Sequence, residues 1–225
     1  GHTVTTTSTY AFAPAISNMV LSAYARIGIR RTEITAQHMA DADVECNLVQ
    51  VELSNRIPNL WLDELYTQAL TASDGNYVLP ARLVAFQAAY LTTTISGTST
   101  DRILWPLSVF EYSSLPDKTQ EGPPTSYWLN MQATPEINFW PVPDDAATYT
   151  FKARMLRQVQ DASLAGGVTA DMPYRWLDVY VAGVAHRLSR IYAPDKEAMR
   201  EKDYEKAWAI AATTDKEQVP TYYNV

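Results

Sequence analysis

The sequence has a single cysteine and no long apolar run. Cys46 is the one cysteine among 225 residues, so neither an internal disulfide nor a cysteine-rich zinc site can form. No apolar run approaches the ~20 residues that a membrane-spanning helix needs. The first residues lack the basic and apolar regions of a signal peptide. We therefore expect no membrane span and no secretion signal, and the single cysteine fits a reducing compartment.

Positive charge is in deficit. The chain has 18 Lys and Arg residues against 25 Asp and Glu residues, which gives a formal net charge of −7 and a pI near 4.9. A groove that binds nucleic acid needs clustered basic side chains, so this balance argues against one. It is compatible with a surface along which nucleic acid slides without adhering, because charges of the same sign repel.

The motifs of chemical sites are also missing. His2, His38 and His186 have no histidine at the i, i+4 spacing of a helical zinc site. No nucleophile elbow, phosphate-binding glycine loop or pair of catalytic carboxylates is present. Gly166 and its neighbour lack the lysine of a phosphate loop and are typical of a hinge. We predict a protein that is not an enzyme and holds no metal or cofactor, with Cys46 as a small buried hydrophobe.

Apolar and aromatic residues, in contrast, are plentiful. They make up 47% of the chain, with 14 Tyr and 6 Trp, so the chain can bury a sizeable core. Its length of 225 residues is enough for one large domain or two small ones sharing a core. In residues 171–212, apolar steps of three and four predict two helices separated at Pro194. Asp171 is the predicted N-cap, Pro173 lies in the first turn, and Gly183 admits a close neighbour. The apolar stripe comprises Trp176, Tyr180, Val184, Leu188 and Ile191.

Two more amphipathic helices are predicted near the N-terminus. Gly28 ends the first, and Thr35 caps the second, which stops between Asn55 and Pro58. Residues 1–14 form a Thr-rich arm, for which two interpretations stay open. It is either a disordered terminus or an arm that is ordered only against a partner.

The middle of the chain follows the period of strands. Strands are predicted at residues 65–70, 77–79, 83–86, 89–95, 127–132, 136–140 and 149–156. Residues 73–76 predict a turn with positive φ at Gly75, and residues 96–99 a loop. Ser108 with Glu111 forms a capping box for a short helix. Residues 141–145 predict the hairpin between the last two strands.

This order of elements predicts an α+β fold. We expect a helical bundle built from residues 15–56 and 171–212, because amphipathic helices at both ends need a common layer. An antiparallel β domain at residues 57–170 is inserted between them. Residues 1–14 form the arm, and residues 213–225 form an extended tail.

Several short segments also resemble one known family. They are residues 18–29, Trp61, residues 75–80 and 109–112, residues 137–144, and Asp171-Met172-Pro173 followed by Trp176. Each is weak alone, but in this order and spacing they resemble the head-to-tail adaptor proteins of short-tailed phages, of the tail tubular protein A type. The likeness spans about residues 15–212.

The resemblance implies a structural role in the virion. It implies a ring, dodecameric in this family, beneath the portal protein and above a tail nozzle or other downstream tail protein. Its axial channel serves genome packaging, retention and ejection, so genomic DNA passes without specific binding. The family has no catalytic residues to carry over. The expected location is the head–tail junction of a virion, after synthesis in the cytoplasm of the bacterial host.

Two sets of residues are predicted to serve these contacts. Adjacent tyrosines in a polar tail gain no stabilisation from exposure to solvent, whereas tyrosine is a common interface anchor. We therefore expect the tail to dock on a neighbouring subunit or the portal. Its predicted anchors are Val219, Pro220, Tyr222 and Tyr223. Acidic loop residues facing the channel would keep DNA from adhering; the predicted ones are Asp117, Glu121, Asp144 and Asp145.

Two alternatives stay open at this point. One is another tail component, such as a tail completion protein or nozzle subunit, that uses the same domain. The other is a small hydrolase or binding module. Ring-shaped particles would favour the adaptor, and a monomer with a deep pocket would favour the module.

Overall fold

A computed structural model describes residues 5–56 and 60–214 of the chain. The chain forms two compact units. The first contains the residues up to Trp61 and those from Val159 onward, and the second is Leu62–Gln158. Helices occupy both ends and strands the region between them, which confirms the predicted α+β fold class. No helix among the described residues is both long and apolar enough to cross a membrane.

The first unit is a helical bundle arranged around one buried helix. The helices of the described chain, α1 to α5, are Ile16–Arg26, Ala36–Arg56, Val109–Ser113, Leu177–Tyr192 and Glu197–Thr214. Helix α4 packs against α1, α2 and α5. Its Tyr180 and Leu188 are fully buried, as is Trp176 in the 3₁₀ turn before it. The apolar residues that recur along α4 therefore form the centre of this core.

Three local expectations for these helices are confirmed. Gly28 has φ +89° and follows the end of α1. The Thr35 hydroxyl accepts a hydrogen bond from the His38 backbone N–H at 3.4 Å, as an N-cap does. Gly183 lies so close to its neighbours that an added Cβ would stand 2.8 Å from Tyr204 Cε2 and 3.0 Å from Val49 Cγ1.

The start of α4 differs from the prediction. Asp171 does not cap the helix, because its carboxylate accepts a hydrogen bond from the Gln160 backbone N–H at 2.9 Å. Pro173 precedes a 3₁₀ turn at Tyr174–Trp176, and α4 begins only at Leu177. At the other end of the predicted stripe, Ile191 is exposed rather than buried.

The second unit consists of two four-stranded sheets around a shared core. Strands β1 to β8 are Asp63–Ala69, Asn76–Val78, Leu83–Ile95, Thr98–Ile103, Trp105–Leu107, Ser126–Asn130, Glu136–Trp140 and Thr148–Arg157. The sheet orders are β1-β8-β3-β4 and β2-β7-β6-β5, and only the β5–β6 pair is parallel among the described strands. Phe139 of one sheet meets Phe151 of the other with ring centroids 5.1 Å apart.

Strand pairing overturns two predicted turns. Residues 141–145 do not form a hairpin, because β7 and β8 belong to different sheets. Residues 73–76 do not join paired strands either, since β1 pairs with β8 and β2 with β7. Positive φ there occurs at Ser73, not at Gly75. Gly75 instead allows a close approach, because an added Cβ would stand 3.1 Å from Val142 Cγ2.

Two strand boundaries also differ. The predicted strands 83–86 and 89–95 are one strand, β3, whose register shifts absorb the break in the pattern. The predicted loop 96–99 is a tight turn followed directly by β4. All six β4 residues are exposed, so no apolar alternation marks this strand in the sequence. The capping box at Ser108 is confirmed and starts α3.

Candidate interaction surfaces

The four predicted channel-facing acids lie on two neighbouring loops of the second unit. One loop precedes β6 and the other follows β7. They are joined by backbone hydrogen bonds, from Val142 N–H to the Gln120 carbonyl and from Gly122 N–H to the Val142 carbonyl, each 2.9 Å long. The fold therefore brings these loops together at one end of the second sheet. The acids that they carry are Asp117, Glu121, Asp144 and Asp145.

Two of these acids make hydrogen bonds that stabilise loops of the second unit. The Asp117 carboxylate accepts hydrogen bonds from the Thr119 hydroxyl at 2.7 Å and the Thr119 N–H at 2.9 Å. These bonds hold the pKa of Asp117 below its ordinary value. Glu121 accepts a hydrogen bond from the Ser73 hydroxyl at 2.6 Å. The contact of Asp117 is a local one that turn chemistry favours in any protein, whereas Glu121 joins its loop to the turn that follows β1.

The other two acids lie side by side in different surroundings. Asp144 is half-buried and accepts a 2.7 Å hydrogen bond from the Tyr149 hydroxyl. Burial, and then the Asp144 carboxylate, raise the pKa of Tyr149 to about 12. Asp145 is exposed. That these four residues face a channel stays a prediction, as does the role of the tail residues Val219, Pro220, Tyr222 and Tyr223, which lie outside the described residues.

Helix α2 exposes an apolar stripe that the sequence analysis missed. Val44, Leu48 and Val51 are 58%, 44% and 46% exposed, and they follow one another at i, i+4 and i+7. The predicted inward face, which includes Val49 and Cys46, is fully buried. The spacing of the outward stripe was readable in the sequence, since three such residues share one side of a helix. We call Val44, Leu48 and Val51 the α2 ridge.

A groove opens between α1 and α4 of the same unit. Its volume is about 310 Å³, and its lining is mainly apolar, from Met19, Leu177 and Val181 together with Phe12 and Pro14 of the arm. At one end, Arg26 and Asp178 form an ion pair at 3.1 Å. We call this depression the α1–α4 groove.

Beyond the ion pair, the same surface continues as a polar pocket of about 300 Å³ beside α5. It shares Arg26 and Asp178 with the α1–α4 groove and adds Arg200, Lys206 and Ile210. Arg200 is paired with Asp203 at 3.0 Å. The Lys206 side chain is exposed here, which gives this end of the surface a positive charge.

The arm adds aromatic surface to the first unit. Tyr10 is fully exposed, and Phe12 and Tyr174 are largely exposed. These rings border an open depression of about 770 Å³. Exposed aromatic side chains are enriched in protein interfaces, where they bury a large area with few rotatable bonds.

The buried titratable side chains of the first unit make packing contacts and hydrogen bonds within the bundle. His186 is buried and stacks on the Tyr204 ring, with centroids 6.2 Å apart. Burial, together with Arg190, holds the pKa of His186 below its ordinary value. Tyr192 donates a hydrogen bond to Asp41. Within residues 5–56 and 60–214, no three His, Cys, Asp or Glu side chains are grouped to hold a metal ion.

Comparison with known proteins gives one informative result. No curated protein matches the chain. A family model described as SU10 adaptor protein matches residues 20–223, from within α1 to the tail. The matched range includes the whole second unit, most of the first unit and the α2 ridge, but not the arm with Tyr10 and Phe12 or the start of α1 with Met19. The chain therefore belongs to the SU10 adaptor protein family, a family of structural adaptor proteins of phage virions.

Proposed function

We propose that this adaptor forms a ring beneath the portal protein and joins the capsid to the tail. The match to the adaptor family over residues 20–223 is the observation that carries the proposal. A ring of identical copies, twelve by analogy with the tail tubular protein A type, would continue the DNA channel of the portal. A tail nozzle or another downstream tail protein would bind its far side.

The surface of the first unit supports assembly with other copies. The α2 ridge and the aromatic side chains Tyr10 and Phe12 are exposed among the described residues, and the α1–α4 groove is an apolar depression whose floor residues are buried. Burying such apolar surface in an interface would contribute a favourable free energy of about 25 cal/mol per Å². Such surfaces are typical of interfaces when they are rimmed by polar residues, as these are.

The charge of the chain supports a channel that does not retain DNA. The net charge is −7, and the loops before β6 and after β7 carry four acids. In a ring with these loops at the lumen, repulsion would prevent adhesion within about one Debye length, about 10 Å at 0.1 M salt. If lumen-facing acids were replaced by lysine, genome ejection would slow.

Mixing the purified protein with portal rings of the same phage tests the proposal. Electron micrographs should show an added ring on one face of the portal, and its symmetry gives the number of copies. A complex with a single copy per portal, or no complex, would refute the proposed ring. Deleting residues 216–225 should weaken attachment while leaving the circular dichroism spectrum unchanged, because the predicted anchors lie in this segment. Undiminished attachment would rule out the tail as the anchor.

A further inference from the structure

The α2 ridge and the α1–α4 groove lie on opposite sides of the first unit. Gly183 of α4 and Val49 of α2 face each other, because a Cβ on Gly183 would stand 3.0 Å from Val49 Cγ1. A helix turns about 100° per residue. Val181 and Asp178, which line the groove, are therefore about 200° and 140° around α4 from Gly183. By the same count, Val51 and Val44 point away from α4 on the outer side of α2.

The ridge side carries an excess of negative charge. Glu45 and Glu52 share one cation, Arg187, with N–O distances of 3.5 Å and 2.7 Å. Two carboxylates thus face a single guanidinium beside the ridge. Asp41 adds a third carboxylate on the same flank, where it accepts a hydrogen bond from Gln37 at 3.0 Å.

The groove side carries the complementary charge. Its two ion pairs, Arg26–Asp178 and Arg200–Asp203, are each neutral overall, and the exposed Lys206 adds one positive charge. The groove itself is apolar, as is the ridge. The two surfaces thus match in shape, one convex and one concave, and in the sign of their charge.

We infer that the α2 ridge of one copy packs into the α1–α4 groove of the next copy. This inference rests on the proposed ring and names the contact that builds it. Because ridge and groove are different surfaces on opposite sides, the contact is heterologous and repeats from copy to copy. A heterologous contact closes into a ring when its rotation allows, whereas two ridges facing each other would stop at a dimer.

Cysteine cross-linking tests this contact directly. Ser22 lines the groove and is exposed, and Leu48 is the centre of the ridge. The variants S22C and L48C are purified separately, assembled together on portal rings and oxidised. The native Cys46 is fully buried, so the wild-type protein serves as the blank. S99C, on the exposed strand β4 of the other unit, replaces L48C in the matched control.

The expected result is a disulfide-linked dimer only in the mixture of S22C and L48C. The double variant S22C/L48C should give a ladder of multimers, since each copy then carries both halves of the contact. Dimers from L48C alone would indicate ridge-to-ridge packing and overturn the inference. Rings that assemble without any 22–48 cross-link would also overturn it and leave the proposed function standing.

A charge on the ridge supplies the second measurement. L48E should reduce ring formation on portals at least tenfold, because a carboxylate would enter an apolar groove. Leu65 of β1 has the same residue type and a similar exposure, 47%, so L65E is the matched control. Unchanged circular dichroism shows that each variant is folded. Normal rings from L48E would contradict the inference, whereas wild-type protein that never forms rings would contradict the proposed function.

Discussion

A methyl group added at Gly183 tests how tightly α4 packs in the first unit. In a solvated helix, replacing Gly by Ala stabilises by about 1 kcal/mol, because alanine loses less backbone entropy on folding. Here the new Cβ would stand 2.8 Å from Tyr204 Cε2 and 3.0 Å from Val49 Cγ1. Overpacking of a core costs about 1–3 kcal/mol.

Tyr204 decides which of these effects is larger. Its ring is 2% exposed, and its hydroxyl donates a hydrogen bond to Glu52 at 3.2 Å. Arg56 lies 5.5 Å over the ring centroid, and His186 stacks on it. The Tyr204 ring cannot move away from the added methyl group without weakening these contacts. We therefore expect G183A to lower the free energy of unfolding by roughly 1 kcal/mol, the clash minus the helix gain.

Urea denaturation followed by far-ultraviolet circular dichroism measures this change. The helical signal reports mainly the first unit, because the second unit contains only the five-residue helix α3 among its described residues. G166A is the matched control, since nothing lies within 4 Å of the Cβ it adds. That variant should be unchanged or gain up to about 1 kcal/mol. A G183A variant as stable as the wild type, or more stable, would refute the packing argument.

Three other changes have defined outcomes. S108A removes the cap of α3 and should cost about 1 kcal/mol in urea denaturation; no change would mean that the Glu111 half of the box suffices. D144N should lower the pKa of Tyr149 from about 12 toward 10 in an ultraviolet titration, and an unmoved value would leave burial as the whole cause. His186 has a lowered pKa in the folded state, so its contribution is complete above the ordinary pKa of about 6.5 and is lost as pH falls. H186Q should therefore lose less stability between neutral and acid pH than the wild type, and an equal loss would place the acid sensitivity elsewhere.

Local signals in the sequence predicted local structure well. Gly28 and Thr35 mark the end of α1 and the start of α2, because φ preference and capping act within one turn. Ser108 and Glu111 form the predicted capping box for the same reason. These signals need no knowledge of the rest of the fold. They also placed helices at both ends of the chain, and hence the α+β class.

Strand pairing could not be predicted because it depends on distant segments. Strands β7 and β8 are neighbours in sequence but belong to different sheets, while β8 pairs with β1 and β3 from much earlier in the chain. Asp171 shows the same limit at the level of one residue. Asp is a favoured N-cap residue, yet the Asp171 carboxylate accepts a hydrogen bond from the Gln160 backbone N–H instead of capping the helix. Capping preference identified Asp171 as a hydrogen-bond acceptor, but tertiary contacts determine which N–H it accepts from.

The surfaces of α2 show why a single sequence pattern can have two meanings. Cys46, Val49 and Leu53 satisfy the helical period and account for the inward face, while Val44, Leu48 and Val51 form a second stripe on the outward face. A helix that is apolar on both faces is typical of a helix buried on both faces. Within residues 5–56 and 60–214, the chain covers the inner face of α2 and leaves Val44, Leu48 and Val51 exposed. The inferred contact with a neighbouring copy would bury this outward stripe, so the stripe supports that contact.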